Sequence, residues 1–354
     1  MRRPRPTAAK AAFLVSLVLL LAACAPVVVE PGPTVGAPAL GTDAFVTADG
    51  AELPVRVWMP VGPPSAVIVA VHGFNDYSNF FEAPGTYFAD RGITSYAYDQ
   101  RGFGAAPHQG KWAGHDAMAG DLRAVLEAVR ARHAGTPLYV LGMSMGGAVV
   151  MVTITGDDPP DVDGTILVAP AVWGRATMPW YQRAGLWLAV RTVPSLRLSG
   201  RGLGRVPSDN REMLKALGRD PLVIKETRVD TIHGLVGLMD AALEAAARFD
   251  ARALILYGSR DEIIPRDPTE LVLARLPEEP SERRRVAVYD TGYHMLLRDL
   301  QAETVWRDIA AWIAGPSNPL PSGAGRRLPA SEALRWGSRW AGLNSMPLSV
   351  CPGS

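Results

Sequence analysis

The chain has 354 residues, 48% apolar and 20% charged, a balance that supports a large buried core and excludes a disordered or collagen-like protein. Its 36 basic and 35 acidic residues nearly cancel to +1, and no basic stripe with interleaved aromatics runs through the body, which argues against a nucleic-acid partner. Two cysteines are too few for a disulfide scaffold or a cysteine-rich zinc site, and no repeat of fixed period is present.

Residues 1–23 depart from this average. Arg2, Arg3, Arg5 and Lys10 stand near the start with no acid among them, and Ala11–Ala23 is apolar except for Ser16. That run is too short to span a bilayer as a helix. A basic start, a short apolar run and small residues predict a secretory signal. Its end, Leu21-Ala22-Ala23-Cys24, resembles the lipobox of bacterial lipoproteins. The resemblance implies cleavage before Cys24, acylation of its amine and thiol, and attachment of the chain to a membrane of the bacterial cell envelope, facing the periplasm. The competing reading is an ordinary signal peptide with a cysteine there by chance. Cleavage removes four of the 36 cations, so 32 face 35 acids and the remaining chain carries −3. Such a chain is not drawn to anionic lipid by its net charge. Attachment would then come from the acyl chains, at about 0.8 kcal/mol per buried CH₂. Ala25, rather than an inner-membrane retention aspartate, leans toward the outer membrane. Cys351 is left without an obvious partner.

Residues 24–41 are rich in Pro, Gly and Val without helical period and predict a tether. Strands are expected at Ala44–Ala48 and Leu53–Met59, the second alternating apolar and polar. Ala66–Val71 then reads AVIVAV, a continuous β-branched run typical of a strand buried on both faces. Ile93–Tyr98, Leu138–Leu141, Thr165–Val168, Ala253–Tyr257 and Val286–Tyr289 are of the same kind. Helical patterns separate them. Asp116–His133 places Leu122, Val125, Leu126 and Val129 on one face, and Ala148–Thr153, Asp240–Phe249, Asp267–Leu276 and Gln301–Ala314 follow. This alternation predicts an α/β fold with a mostly parallel central sheet flanked by helices. Residues 171–236 break the rhythm with Trp173, Trp180, Tyr181, Trp187 and several prolines. They predict a helical cap inserted between a first core segment, 42–170, and a second, 237–314. Residues 315–354, rich in Pro, Gly and Ser, predict a loosely ordered tail.

Gly142-Met143-Ser144-Met145-Gly146-Gly147 follows one of these strands and precedes a helical run. G-x-S-x-G in a strand–turn–helix setting is the pattern of a nucleophile elbow. Ser144 would sit in a strained turn, the glycines would admit close backbone approach, and the helix N-terminus would favour developing negative charge. His72-Gly73-Phe74 follows the strand Ala66–Val71, so the N–H of Phe74 and the N–H of Met145 are candidate oxyanion donors. One such donor is worth about 10²–10³-fold in rate. Six histidines are present, but only His294 follows the last strand, where this architecture places a base. Asp261, in Gly258-Ser259-Arg260-Asp261 after the preceding strand, is the candidate orienting acid, ahead of Asp267 at a helix start and Asp290 beside the base's own strand. His72 reads as a brace of the oxyanion loop. Asp99–Gly104 fits a tight turn rather than a phosphate loop, and His115-Asp116 fits a helix start rather than a metal site.

Together these segments resemble the monoacylglycerol lipase and lysophospholipase-like branch of the α/β-hydrolase fold. The resemblance covers about Thr42 to Ala314. His72–Phe74, Asp99–Gly104, Gly142–Gly147, Gly258–Asp261 and Gly292–His294 carry it. It implies Ser144 as nucleophile, His294 as base and then acid, and Asp261 as its carboxylate. Phe74 and Met145 would be the oxyanion donors, with neither cofactor nor metal. Asp209-Asn210 and Asp220-Pro221-Leu222 look like cap motifs of this branch and receive no catalytic role. Two positions depart from its pattern: Met143 stands where histidine is frequent, and Ala105-Ala106-Pro107 where a serine is. The expected substrate is a small acyl ester with an apolar chain, a monoacylglycerol or lysophospholipid. A small-ester carboxylesterase or an aminopeptidase-like relative is the enzymatic alternative. A lipid-anchored binding or scaffold protein on the same fold is the non-enzymatic one.

Overall fold

A computed structural model describes residues 25–200, 202, 204–277 and 283–327. The predicted signal peptide, Cys24 and Cys351 lie outside the described residues. The chain forms β1 (Ala39–Leu40), β2 (Ala44–Val46), β3 (Glu52–Trp58), β4 (Ala66–Val71), α1 (Glu82–Ala89), β5 (Ile93–Tyr98) and α2 (His115–Arg132). Then come β6 (Leu138–Met143), α3 (Met145–Ile154), β7 (Gly164–Val168), α4 (Trp180–Thr192), β8 (Arg197–Ser199), α5 (Arg211–Arg219) and β9 (Glu226–Arg228). Last are α6 (Val229–Ala245), β10 (Ala253–Gly258), α7 (Arg266–Arg275), β11 (Arg284–Tyr289), α8 (Ala302–Ala314) and β12 (Gly325–Arg327).

Among the described residues the main sheet runs β1-β2-β3-β5-β4-β6-β7-β10-β11-β12. The pairs from β5 to β11 are parallel, and the strands added at either edge are antiparallel. Residues of β4 are buried throughout, and the period of two sorts them: Val67, Val69 and Val71 join the core beneath α2, α3, α6 and α7, while Ala66, Ile68 and Ala70 join the core beneath α1 and α8. Both faces are thus dry, which is why these strands read as unbroken apolar runs. β3 keeps the half-exposed alternation expected of its sequence.

Four features differ from the sequence-based expectations. Residues 25–41 do not form a free tether. Val27 N–H donates to Asp230 Oδ2 at 3.2 Å, Val29 N–H to Trp112 O at 2.8 Å and Gly32 N–H to Asp49 Oδ2 at 2.9 Å. Ala39–Leu40 then pairs with β2. Acceptors on distant elements satisfy this backbone, so its own sequence carries no periodic sign of it. The cap is not purely helical: β8 and β9 form a separate antiparallel ribbon with an exposed first strand. Its boundary at 236 falls inside α6, a continuous helix from Val229 that packs on α3. In the tail, residues 325–327 add an antiparallel strand to β11, and Leu320 is buried. α1 had no sequence signature because Pro84 and Gly85 depress helix propensity. Gly85 is needed there because the Trp58 ring lies against its Cα, where a Cβ would collide.

Trp312 of α8 is fully buried, edge-on to Tyr139 at 5.7 Å, and closes over Gly164 of β7. Trp312→Ala is expected to cost about 3–5 kcal/mol of unfolding free energy, read from the midpoint of chemical denaturation.

Candidate active site

β6 ends at Met143 and α3 begins at Met145, leaving Ser144 alone in the turn at φ 52°, ψ −116°. Such a conformation costs a non-glycine residue of order 1–3 kcal/mol. The surroundings hold it there. Ser144 N–H donates to Val168 O at 2.9 Å, and Ser144 O accepts from Ala171 N–H at 2.9 Å and Ala148 N–H at 3.2 Å. The glycines of the motif are steric requirements. A Cβ on Gly142 would strike the Gly146 carbonyl, one on Gly146 the Val71 carbonyl, and one on Gly147 the Pro170 ring at 2.8 Å. The strand–helix angle exists only because these three positions lack side chains.

The structure brings Ser144, His294 and Asp261 into one line. His294 Nε2 lies 2.9 Å from Ser144 Oγ and His294 Nδ1 2.7 Å from Asp261 Oδ2. Asp261 accepts only, so Nδ1 carries the hydrogen and Nε2 accepts from the serine hydroxyl. The second oxygen of Asp261 accepts the N–H groups of Ile263 and Ile264 at 2.8 and 2.9 Å, which pins the carboxylate. The side chains of His294 and Asp261 are nearly buried, so the contacts between them act at low local dielectric. The three residues follow β6, β10 and β11, all at the carboxyl ends of parallel strands, where an open α/β sheet leaves its crevice.

The two candidate oxyanion donors flank the same hydroxyl. Gly73 approaches Ser144 so closely that a Cβ there would lie 3.3 Å from Ser144 Cβ, and Phe74 follows it. Met145 is the first residue of α3. The N–H groups of Phe74 and Met145 meet no acceptor among the described residues, and the helix N-terminus adds its positive end. His72 braces this loop. Its Nδ1–H donates to Gly73 O at 2.8 Å, and its Nε2 accepts from Gln100 N–H at 3.0 Å. Full burial pushes the His72 pKa below its ordinary 6.5. The Asp99–Gly104 turn is structural: Asp99 accepts the N–H groups of Ser78 and Ala105, and Arg101 bridges Asp49 and Asp121. His115 and Asp116 open α2, and Asp267 lies in the first turn of α7. Among the described residues no group of three His, Cys, Asp or Glu side chains is placed to hold a metal ion.

Several contacts around the site were not read from the sequence. Asn75, next to Phe74, donates through Nδ2 to Thr227 Oγ1 at 2.7 Å and accepts Ile224 N–H at 3.0 Å. Tyr77 donates its hydroxyl to Asp220 at 2.7 Å. Ser208 donates to Asp299 at 2.6 Å, and Arg298 pairs with Asp76. The first three sets join core loops to the insertion across wide sequence gaps, and the last joins two core loops to each other. The cap motifs at 209–210 and 220–222 were their only local signal.

A parallel sheet of this order, with a serine in a strained turn after the strand β6, defines an α/β-hydrolase, an enzyme of the serine-hydrolase class. The family described as Serine aminopeptidase, S33 matches residues 62–301, most of the chain, and the chain belongs to that family. It is 26% identical over 285 residues to the monoacylglycerol lipase of Mycolicibacterium smegmatis, covering 76% of this chain and 95% of that one. It is 24% identical over 278 residues to human monoglyceride lipase, covering 76% and 89%. Among solved structures, Paleococcus ferrophilus monoacylglycerol lipase superposes with a TM-score of 0.62 at 23% identity, covering 74% of this chain and 98% of that one. A soluble variant of the Saccharomyces cerevisiae monoglyceride lipase with a substrate analogue gives 0.64 at 20% identity, covering 80% and 98%.

Two outcomes follow. Gly146→Ala is expected to abolish activity or folding, since its Cβ would displace the end of β4 and the His72 that follows it; soluble yield and turnover together check this. The depressed pKa of His72 means that the unfolded chain binds its proton first on acidification. Stability from this group is complete above the ordinary 6.5 and falls as pH drops through that value toward the lower folded one. Denaturation midpoints across this window should slope less steeply in His72→Gln than in the parent chain.

Proposed function

We propose that the chain hydrolyses carboxylic esters with an apolar acyl chain, of the monoacylglycerol or lysophospholipid type. The observation that carries this is the unbroken relay from Asp261 through His294 to Ser144, beside two backbone N–H groups with no acceptor among the described residues. The Mycolicibacterium smegmatis and human relatives above are named as a monoacylglycerol lipase and a monoglyceride lipase, which supports the same reading.

In the mechanism, Ser144 Oγ attacks the ester carbonyl carbon while its proton passes to His294 Nε2. The carbonyl oxygen becomes an oxyanion held by the N–H groups of Phe74 and Met145. Asp261 keeps the ring in the correct tautomer and stabilises the imidazolium without taking its proton. The ester C–O bond then breaks, and the His294 proton goes to the departing alcohol. Water, deprotonated by His294, attacks the acyl-enzyme, and collapse of the second oxyanion returns the proton to Ser144. The residues required are all in the chain.

The apolar substrate is supported by the insertion. Trp173, Met178 and Leu186 pack their inner surfaces against the core, while Trp180, Tyr181 and Trp187 turn outward. The cell-envelope reading rests on the lipobox at Cys24, and an acylated Cys24 would hold the enzyme at the surface where such lipids reside.

The decisive experiment is a p-nitrophenyl ester series from acetate to octanoate, beside a monoacylglycerol and an aminoacyl p-nitroanilide. Octanoate and monoacylglycerol should exceed acetate in kcat/KM, with no cleavage of the anilide. A preference for acetate would favour a small-ester esterase, and anilide cleavage an aminopeptidase. Ser144→Ala should abolish fluorophosphonate labelling, and Asp261→Asn should lower kcat by about 10⁴-fold. Labelling unchanged in Ser144→Ala would show that Ser144 is not the activated nucleophile. Cys24→Ala should shift the protein from the detergent to the aqueous phase on phase separation.

A further inference from the structure

The loop that carries His294 is held from both sides, and one of the two holds belongs to the cap. Tyr293 N–H, directly before His294, donates to Asp299 Oδ2 at 2.8 Å. Met295 N–H, directly after it, donates to Pro207 O at 2.9 Å. Asp299 Oδ1 accepts the hydroxyl of Ser208 at 2.6 Å, and Ser208 is 1% exposed. Ser208 Oγ in turn accepts Asn210 N–H at 3.1 Å. Asn210 Nδ2 donates to Arg298 O at 3.0 Å, and Leu300 N–H donates to Asp209 Oδ1 at 2.9 Å. Residues 207–210 therefore grip the 293–300 loop at four points, some 90 residues along the chain from it.

No other role is evident for so many directional contacts. The segment between the ribbon strand β8 and helix α5 needs only one N-cap, and Asn210 already supplies it by accepting Met213 N–H at 3.1 Å. Asp299 is buried, which pushes its carboxyl pKa up, while the Ser208 and Tyr293 donors oppose that rise. Loss of the serine hydroxyl would leave a buried carboxylate short of one donor and free to pull away from Tyr293. The imidazole would then drift relative to Ser144, and a shift of about 1 Å at such a distance can cost on the order of 10²-fold in rate.

We infer that the cap turn Pro207–Asn210 positions the catalytic base, with Ser208 and Asp299 as positioning residues that set the place of His294 against Ser144. The inference rests on the proposed roles of Ser144 and His294. It makes the cap part of the reaction machinery as well as a cover for the acyl chain. It also accounts for the Asp209-Asn210 motif, which the ester chemistry itself does not use.

The test compares the full chain with Ser208→Ala, Ser208→Thr and Asp299→Asn. For each, kcat and KM on p-nitrophenyl acetate and octanoate are measured with the fluorophosphonate labelling rate and thermal midpoint. Ser208→Ala should lower kcat about tenfold or more on both esters, by the same factor, and slow labelling equally, while KM stays within about twofold. Ser208→Thr, which keeps the hydroxyl, should recover most of the loss. Asp299→Asn should behave like Ser208→Ala and stands in for it if the alanine variant does not fold. A lowered thermal midpoint with unchanged kcat and labelling in the folded fraction would overturn the inference, since that is the signature of glue alone. So would a change in KM confined to octanoate, which would make Ser208 a wall of the acyl site. Ser144→Ala and His294→Ala run alongside. If these retain turnover, the catalytic reading itself fails and the inference falls with it; if they are dead and Ser208→Ala is wild type, only the inference fails.

Discussion

The backbone of Ser144 is the constraint on which the rest depends. A residue with a Cβ is held at φ 52°, where few L-residues rest, and it stays because three glycines remove every collision that would relax it. The turn is so tight that β6, α3 and the loop after β4 share one small volume, with carbonyl oxygens of Val71 and His72 packed against Gly146. The strain is balanced by folding of the whole sheet rather than by any local bond. Because the turn lies between the middle of the sheet and the first turn of a helix, it presents the hydroxyl at a sheet edge where no backbone competes for it.

From that point the architecture needs little more. Parallel strands all end on one rim, so loops after β4, β6, β10 and β11 meet there however distant they are in the chain. Three of them supply the relay, the fourth supplies a backbone donor, and buried carboxylates elsewhere on the rim hold the loops still. Asp99 ties the turn after β5 to the segment after β4, and Arg298 with Asp76 ties the base loop to the oxyanion loop. The insertion completes the ring by reaching both. Thr227 and Asp220 contact one side, and Pro207–Asn210 contact the other. Cap and chemistry are thus mechanically one body.

How far these features were legible depended on whether their cause was local. The core strands were readable because burial on both faces demands an apolar side chain at every position. The elbow was readable because close backbone approach demands glycine at fixed offsets from the serine. His294 and Asp261 were readable through order, each following a recognisable strand. Helix α1 was not, since its Pro84-Gly85 pair suits the Trp58 ring above it rather than the helix itself. Nor was the docking of residues 25–41, whose partners Trp112 and Asp230 lie far along the chain. The start of α6 at Val229 was missed because a half-buried helix against α3 shows a weaker period than its alanine-rich second half.

Side-chain pattern alone settled the architecture and the order along the chain of the serine, aspartate and histidine that the rim brings together. Those follow from rules acting over a few residues: burial, glycine sterics and the strand-then-helix rhythm. The folded molecule decided which oxygen of Asp261 faces the ring, which buried carboxylate anchors the base loop, and that the cap grips this loop. Such contacts join residues tens to hundreds of positions apart, and their geometry exists only once the sheet has closed its rim.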